Sequence, residues 1–146
     1  MTNYAFQSNQ VDMKADNMHA SARPADTLSN NDLTGGKTVI SAGAVVISAA
    51  NGRIDIGAGN DTNVVGVATQ TRSAGDTRPL TYTRSGLVHV AVDGSSIVAG
   101  SRLKNGTQGL VGLAAANGSE ANLEIGKCVE ISSQAAGTVI VMQLTL

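Results

Sequence analysis

Aromatic side chains are almost missing from this sequence. Its 146 residues include no Trp, one Phe and two Tyr, so any core has to be aliphatic. A chain so poor in aromatics also lacks the stacking platforms of a single-strand nucleic-acid binder. Charge is scarce too: 14 % of residues are charged and the formal net charge is −1. That removes the basic field on which phosphate-backbone binding depends, and no basic amphipathic helix is present for a membrane surface. No run of about 18 apolar residues exists to form a spanning helix. Neither nucleic acid nor membrane is therefore expected as a partner. The single cysteine, Cys128, leaves no intramolecular disulfide, which fits synthesis in a reducing compartment. The start, Met1-Thr2-Asn3-Tyr4, has neither the positive region nor the apolar stretch of a signal peptide.

Reactive groups are equally sparse. His19 and His89 are the only histidines. With one Cys and two such distant histidines, no metal-ligand cluster has recognisable spacing. Gly-x-Ser-x-Gly does not occur, so a hydrolase nucleophile has no support. Gly35-Gly36-Lys37-Thr38 ends like a phosphate-binding loop, but the position that should hold its first Gly is Asn31. It reads better as a hinge before a strand. Asp55, Asp61, Asp76, Asp93, Glu120, Glu124 and Glu130 are scattered, and turn chemistry accounts for the Asp residues. Cys128 reads as a small core residue. Asn60-Asp61-Thr62, Asn105-Gly106-Thr107 and Asn117-Gly118-Ser119 match the glycosylation pattern but are better read as turns. No catalytic residue, metal or cofactor is expected, and the protein is not expected to be an enzyme.

What the sequence does contain divides into two parts. Residues 1–36 hold three of the 33 Val, Ile and Leu residues and are rich in Asn, Asp, Ser and Ala. Such a segment cannot repay its ordering entropy through its own burial. It reads as a polar N-terminal arm. Tyr4 and Phe6 share one face of an extended chain. With Val11 and Met13 they are the candidate residues for contact with a partner or a neighbouring copy, by strand addition or in a groove. A short helix over 11–19 is weakly signalled.

From residue 37 to 146 the chain alternates short apolar strands with turn residues. Strands are expected at 38–40, 44–48, 54–56, 64–71, 77–83, 86–92, 125–132 and 139–146. Pro79 places its strand at an edge or at its start. Asn51-Gly52, Asp93-Gly94, Asn105-Gly106 and Asn117-Gly118 mark turns, the first a hairpin of type I′. In 86–92, Val88, Val90 and Val92 share one face, and Leu87, His89 and Ala91 the other. That places His89 on the less apolar side or at a subunit contact. Ala42-Gly43-Ala44-Val45 is echoed by Ala99-Gly100-Ser101-Arg102-Leu103, and Gly66-Val67-Ala68 by Gly126-Lys127-Cys128. The fold class is therefore all-β: a small β-barrel or compact β-sandwich built from two similar β units, with an extended N-terminal arm.

The stretch 37–146, about three-quarters of the chain, resembles the capsid decoration or cement proteins of tailed bacteriophages. The resemblance is carried by Asn63-Val64-Val65-Gly66-Val67-Ala68, Ser73-Ala74-Gly75-Asp76 and Ser85-Gly86-Leu87-Val88-His89-Val90-Ala91-Val92-Asp93-Gly94. Ala99-Gly100-Ser101-Arg102-Leu103 and the closing strand pair complete it. Lys127-Cys128 departs from the small apolar pair usual there, and the arm is longer than the minimal form. The resemblance implies a structural virion protein, a homotrimer, made in the host cytoplasm and bound to the major capsid protein on the outer capsid surface. Two other readings stand beside it: another virion β module such as a tail or fibre component, and a small ligand- or nucleic-acid-binding barrel.

Overall fold

The computed structural model describes residues 18–24, 39–73, 76 and 78–146. About half of the chain is strand, and the helical pieces described are short 3₁₀ turns. The strands are β1 (Met18–Ala22), β2 (Val39–Ile40), β3 (Val45–Ser48), β4 (Ile54–Ile56), β5 (Val64–Ala68), β6 (Arg72–Ser73) and β7 (Leu80–Ala91). They continue with β8 (Arg102–Asn105), β9 (Val111–Leu113), β10 (Glu124–Glu130) and β11 (Val139–Thr145). One antiparallel sheet runs in the order β4-β3-β5-β7-β11-β10-β8-β9, curled into an open half-barrel. β1 also pairs with β7, and β2 and β6 form a separate two-stranded sheet.

That order is the same series read from both ends, because the chain contains one β unit twice. β3, its turn and β4 recur 57 residues later as β8, its turn and β9. The hydrogen bonds recur with them. Gly43 N donates to Ala68 O at 2.7 Å, and Gly100 N to Cys128 O at 2.8 Å. Ala68 N donates to Ala44 O, and Cys128 N to Ser101 O, both at 2.9 Å. Gly43 and Gly100 have φ of 89° and 86°, a left-handed conformation that glycine adopts without steric cost. The two-unit architecture expected from the sequence echo is thus present.

The units pack the same way. Ile40, Val46, Ile54, Ala68 and Leu80 form a small buried cluster against which Tyr82 packs. Their counterparts Ile97, Leu103, Val111, Cys128, Ile140 and Met142 belong to the larger cluster, joined by Val45, Val67, Val88, Val90 and Val92. Val45 and Val46 go to different clusters, so β3 is buried on both faces. Cys128 is a core residue, 3 % exposed.

The sheet ends, β4 and β9, are tied by loop contacts. Gly109 N donates to Gly57 O at 2.9 Å, and Asn60 N to Asn105 O at 3.0 Å. The buried Asn105 donates through Nδ2 to Asp61 Oδ2. On the other side of the seam, Val92 bridges Val111 and Asp93 N donates to Val111 O at 2.9 Å.

Several expectations change. Strands 77–83 and 86–92 are one strand, β7, because Gly86 turns within it at φ 103° without ending it. Opposite Met18 and His19 the register skips Arg84, a bulge that re-aims the strand. The turn expected at Asn105-Gly106 falls later, at Gln108 (φ 58°) and Gly109 (φ 70°), while Asn105 is buried in β8. Asp55 is not a turn residue but a buried member of β4. Of the helix weighed over 11–19, Met18 and His19 are strand, and the remainder lies outside the described residues. β1 falls within the segment read as the arm and is part of the main sheet.

Candidate functional site

The outward face of β7, β11 and β10 is an exposed surface built on regular structure. Leu87 lies opposite Gln143, His89 opposite Val141, and Ala91 opposite Val139. Gln143 in turn faces Lys127, and Lys127 faces Arg102. Directly opposed residues share one side of a sheet. The other side, with Val88, Val90, Ile140, Met142 and Leu144, is buried in the core. The alternation read from the sequence therefore holds, and His89 is exposed on the less apolar side.

This outer face is not wholly polar. Leu87 is 53 % exposed and Val139 56 %, with Val129 at the bulge in β10 and Met18 at the end of β1 similarly open. Lys127, Arg102 and Glu130 lie among them. At its margin, beside the Ala42-Gly43 turn, is a cleft of about 470 Å³ lined by Val67, Thr83, Leu87, Val139 and both histidines. Thr83 Oγ1 and His19 Nδ1 lie 3.2 Å apart. Nothing in the sequence hinted that His19 and His89 border one cleft, because that depends on the pairing of β1 with β7.

The titrating groups form separate pairs. Arg78 clamps Asp76 through Nε at 3.0 Å and Nη2 at 2.7 Å, which pulls the Asp76 carboxyl down to about 2. Glu120 accepts from Lys104 Nζ at 2.7 Å and from Ala115 N at 2.9 Å, and both hold its carboxyl below the usual range. Burial pushes Asp55 and the Cys128 thiol up. Asp61 accepts from Ala58 N and Gly59 N, and Asp93 from Ser95 N, as turn carboxylates do. Among the described residues no three His, Cys, Asp or Glu side chains gather as a metal-binding group. Asp61, Asp76, Asp93 and Glu120 hold loops and hairpins, each with its own local partners, while Asp55 and Cys128 lie within strands.

No family model and no curated protein matches the sequence. The fold does align with a solved structure, the N base of head fiber gp8.5 in bacteriophage phi29. It aligns with a TM-score of 0.60 over 88 % of this chain and 94 % of that one, at 19 % identity. The two proteins share a fold.

At that identity the likeness concerns backbone architecture. The candidate contact residues Tyr4, Phe6, Val11 and Met13 lie outside the described residues. Of the asparagines in glycosylation patterns, Asn60 and Asn117 are exposed, whereas Asn105 is fully buried and closed to modification in the folded chain.

Proposed function

We propose that this protein is a non-catalytic virion protein that seats on the outer surface of a tailed-phage head and strengthens it as a decoration protein. The observation that carries the reading is the fold shared with a phage head-fiber base across almost the whole of both chains. The outer face suits the role, since it offers apolar side chains and exposed charges of both signs. The partner is the major capsid protein, engaged by a homotrimer at junctions between its subunits. Many weak contacts then add through multivalency. With a net charge near zero, attachment depends little on salt.

The same comparison favours a second reading, in which the β-core is the base of a head-attached fibre. Incubating the purified full chain with undecorated heads, then imaging and sedimenting them, separates the readings. A decoration protein yields density repeating with the capsid lattice and heads that withstand more heating. A fibre base yields density at isolated positions carrying a projection. Heads that stay bare at saturating protein would refute both.

A further inference from the structure

The duplicated unit makes β1 legible. In the second unit, the latter half of β7 pairs with β11 through Leu87–Gln143 to Ala91–Val139. In the first, β1 pairs with the earlier half of β7 through His19–Thr83 to Ala22–Leu80. β7 (Leu80 onward) and β11 are the equivalent strands, so β1 is the first unit's counterpart of the latter half of β7. The adjoining bridges agree: Pro24 pairs in parallel with Ile54, and Val92 in parallel with Val111. Both β1 and β11 reach Ser85, with Met18 and Thr145 opposite it, so β1 prolongs the row of β11.

The units differ in the connection that leaves this strand. Four residues, 93–96, separate Val92 from Ile97, whereas fifteen, 25–39, separate Pro24 from Ile40. The second unit shows that four residues suffice for the connection. Eleven more add an extended reach of up to roughly 35–40 Å. That is about the diameter of a domain of this size, whose radius of gyration is about 14 Å. The strand itself buries little. Met18, His19 and Ser21 are exposed, and only Ala22 packs on a core cluster. What holds β1 is therefore its backbone ladder and the His19–Thr83 contact, followed by the bonds of Arg23 and Pro24 to Ile54 and Arg53, and a second copy offers the same set of partners.

We infer that β1 is an exchange strand: in the assembled protein it leaves its own β7 and pairs with β7 of a second copy, linking the copies. Exchange of an identical element is a low-cost route to a closed oligomer. The inference does not rest on the head-surface reading and is tested without heads.

The test uses full-length chains in which Cys128 is replaced by Ala. Ser21 and Thr81 are cross-strand partners, both outside the buried core. One chain carries Ser21→Cys and the other Thr81→Cys; they are co-expressed, oxidised and run on a non-reducing denaturing gel. A doubly substituted chain reports the pairing itself. A second set with Ala20→Cys and Tyr82→Cys covers the alternate position of the ladder, since narrow and wide pairs alternate. Exchange gives a covalent species of twice the chain mass from the mixed single variants. The inference is overturned if only the doubly substituted chain closes, and does so within one chain. It is equally overturned if no link forms in either set, since β1 would then not lie on β7.

Discussion

Asp55 shows what burial on both faces does to one side chain. It lies between Ile54 and Ile56 in β4 and is 8 % exposed, with Oδ1 accepting from Ile56 N at 2.7 Å. Desolvation raises its pKa above the ordinary value, opposed by that one hydrogen bond. Because the folded-state pKa exceeds the unfolded one, the folded chain holds the proton more tightly. The contribution is thus fully present below pH 3.8 and lost as pH rises through the folded value. Asp76 runs the other way: its pair with Arg78 contributes above pH 3.8 and fades as pH falls toward about 2. Asp76 is therefore already ionised above pH 3.8, where the raised pKa of Asp55 lies. Asp55→Asn keeps the acceptor and removes the charge. Thermal melts should show the variant gaining on the parent from about pH 4 to about pH 7; equal gaps at both would mean Asp55 is not desolvated. The sequence reading grouped Asp55 with the turn carboxylates, because an Asp is rarely buried. All three residues of β4 are buried, and Asp55 is buried with them.

At the scale of elements, the repeat imposes matched constraints. A side chain at Gly66 would bring Cβ closer than 3.0 Å to Thr83 O, and one at Gly126 would do the same to Gln143 O. The two glycines stand at equivalent points of β5 and β10, where the neighbouring strand approaches too closely for any Cβ. Gly66→Ala and Gly126→Ala should each cost about 1–3 kcal/mol by overpacking. Chemical denaturation that found one position tolerant and the other not would show that the units are not equivalent there. The unit was readable in the sequence where glycine marks it, at Gly43 with Gly100 and Gly66 with Gly126. Asn51-Gly52 was readable as a turn for the same reason. Its counterpart was hidden, because Gln108 adopts the same left-handed conformation without advertising it. β1 was hidden for another reason. Met18-His19-Ala20-Ser21-Ala22 has no β-branched residue and little alternation, so its strand state comes from the free edge of β7 and not from local preference.

For the molecule as a whole, closure and attachment are separate questions. Closure depends on the seam, where the fully buried Asn105 joins the loop at 57–61 to the turn after β8. Asn105→Ala removes a hydrogen bond to a charged acceptor and should cost about 1.5–3 kcal/mol. Amide exchange should then quicken first at Asn60 and Gly109, which donate across the seam; uniform quickening would mean that the seam opens only with global unfolding. In the proposed role, attachment would rest on the outer face, legible from the alternation in 86–92, and on a clasp by the candidate contact residues Tyr4, Phe6, Val11 and Met13. Removing residues 2–17 takes away all four and leaves β1 whole, so the dichroism and melting temperature of the β-core should hold. Affinity for undecorated heads should fall at least tenfold, which corresponds to about 1.4 kcal/mol. Raising salt should weaken full-length and truncated proteins equally little, because the lost contacts are aromatic and aliphatic and not ionic. If the shortened protein decorates heads as tightly as the full chain, the clasp is wrong and the sheet face holds the head unaided. If only the full-length protein weakens with salt, the arm holds the capsid through its charges and not through Tyr4 and Phe6.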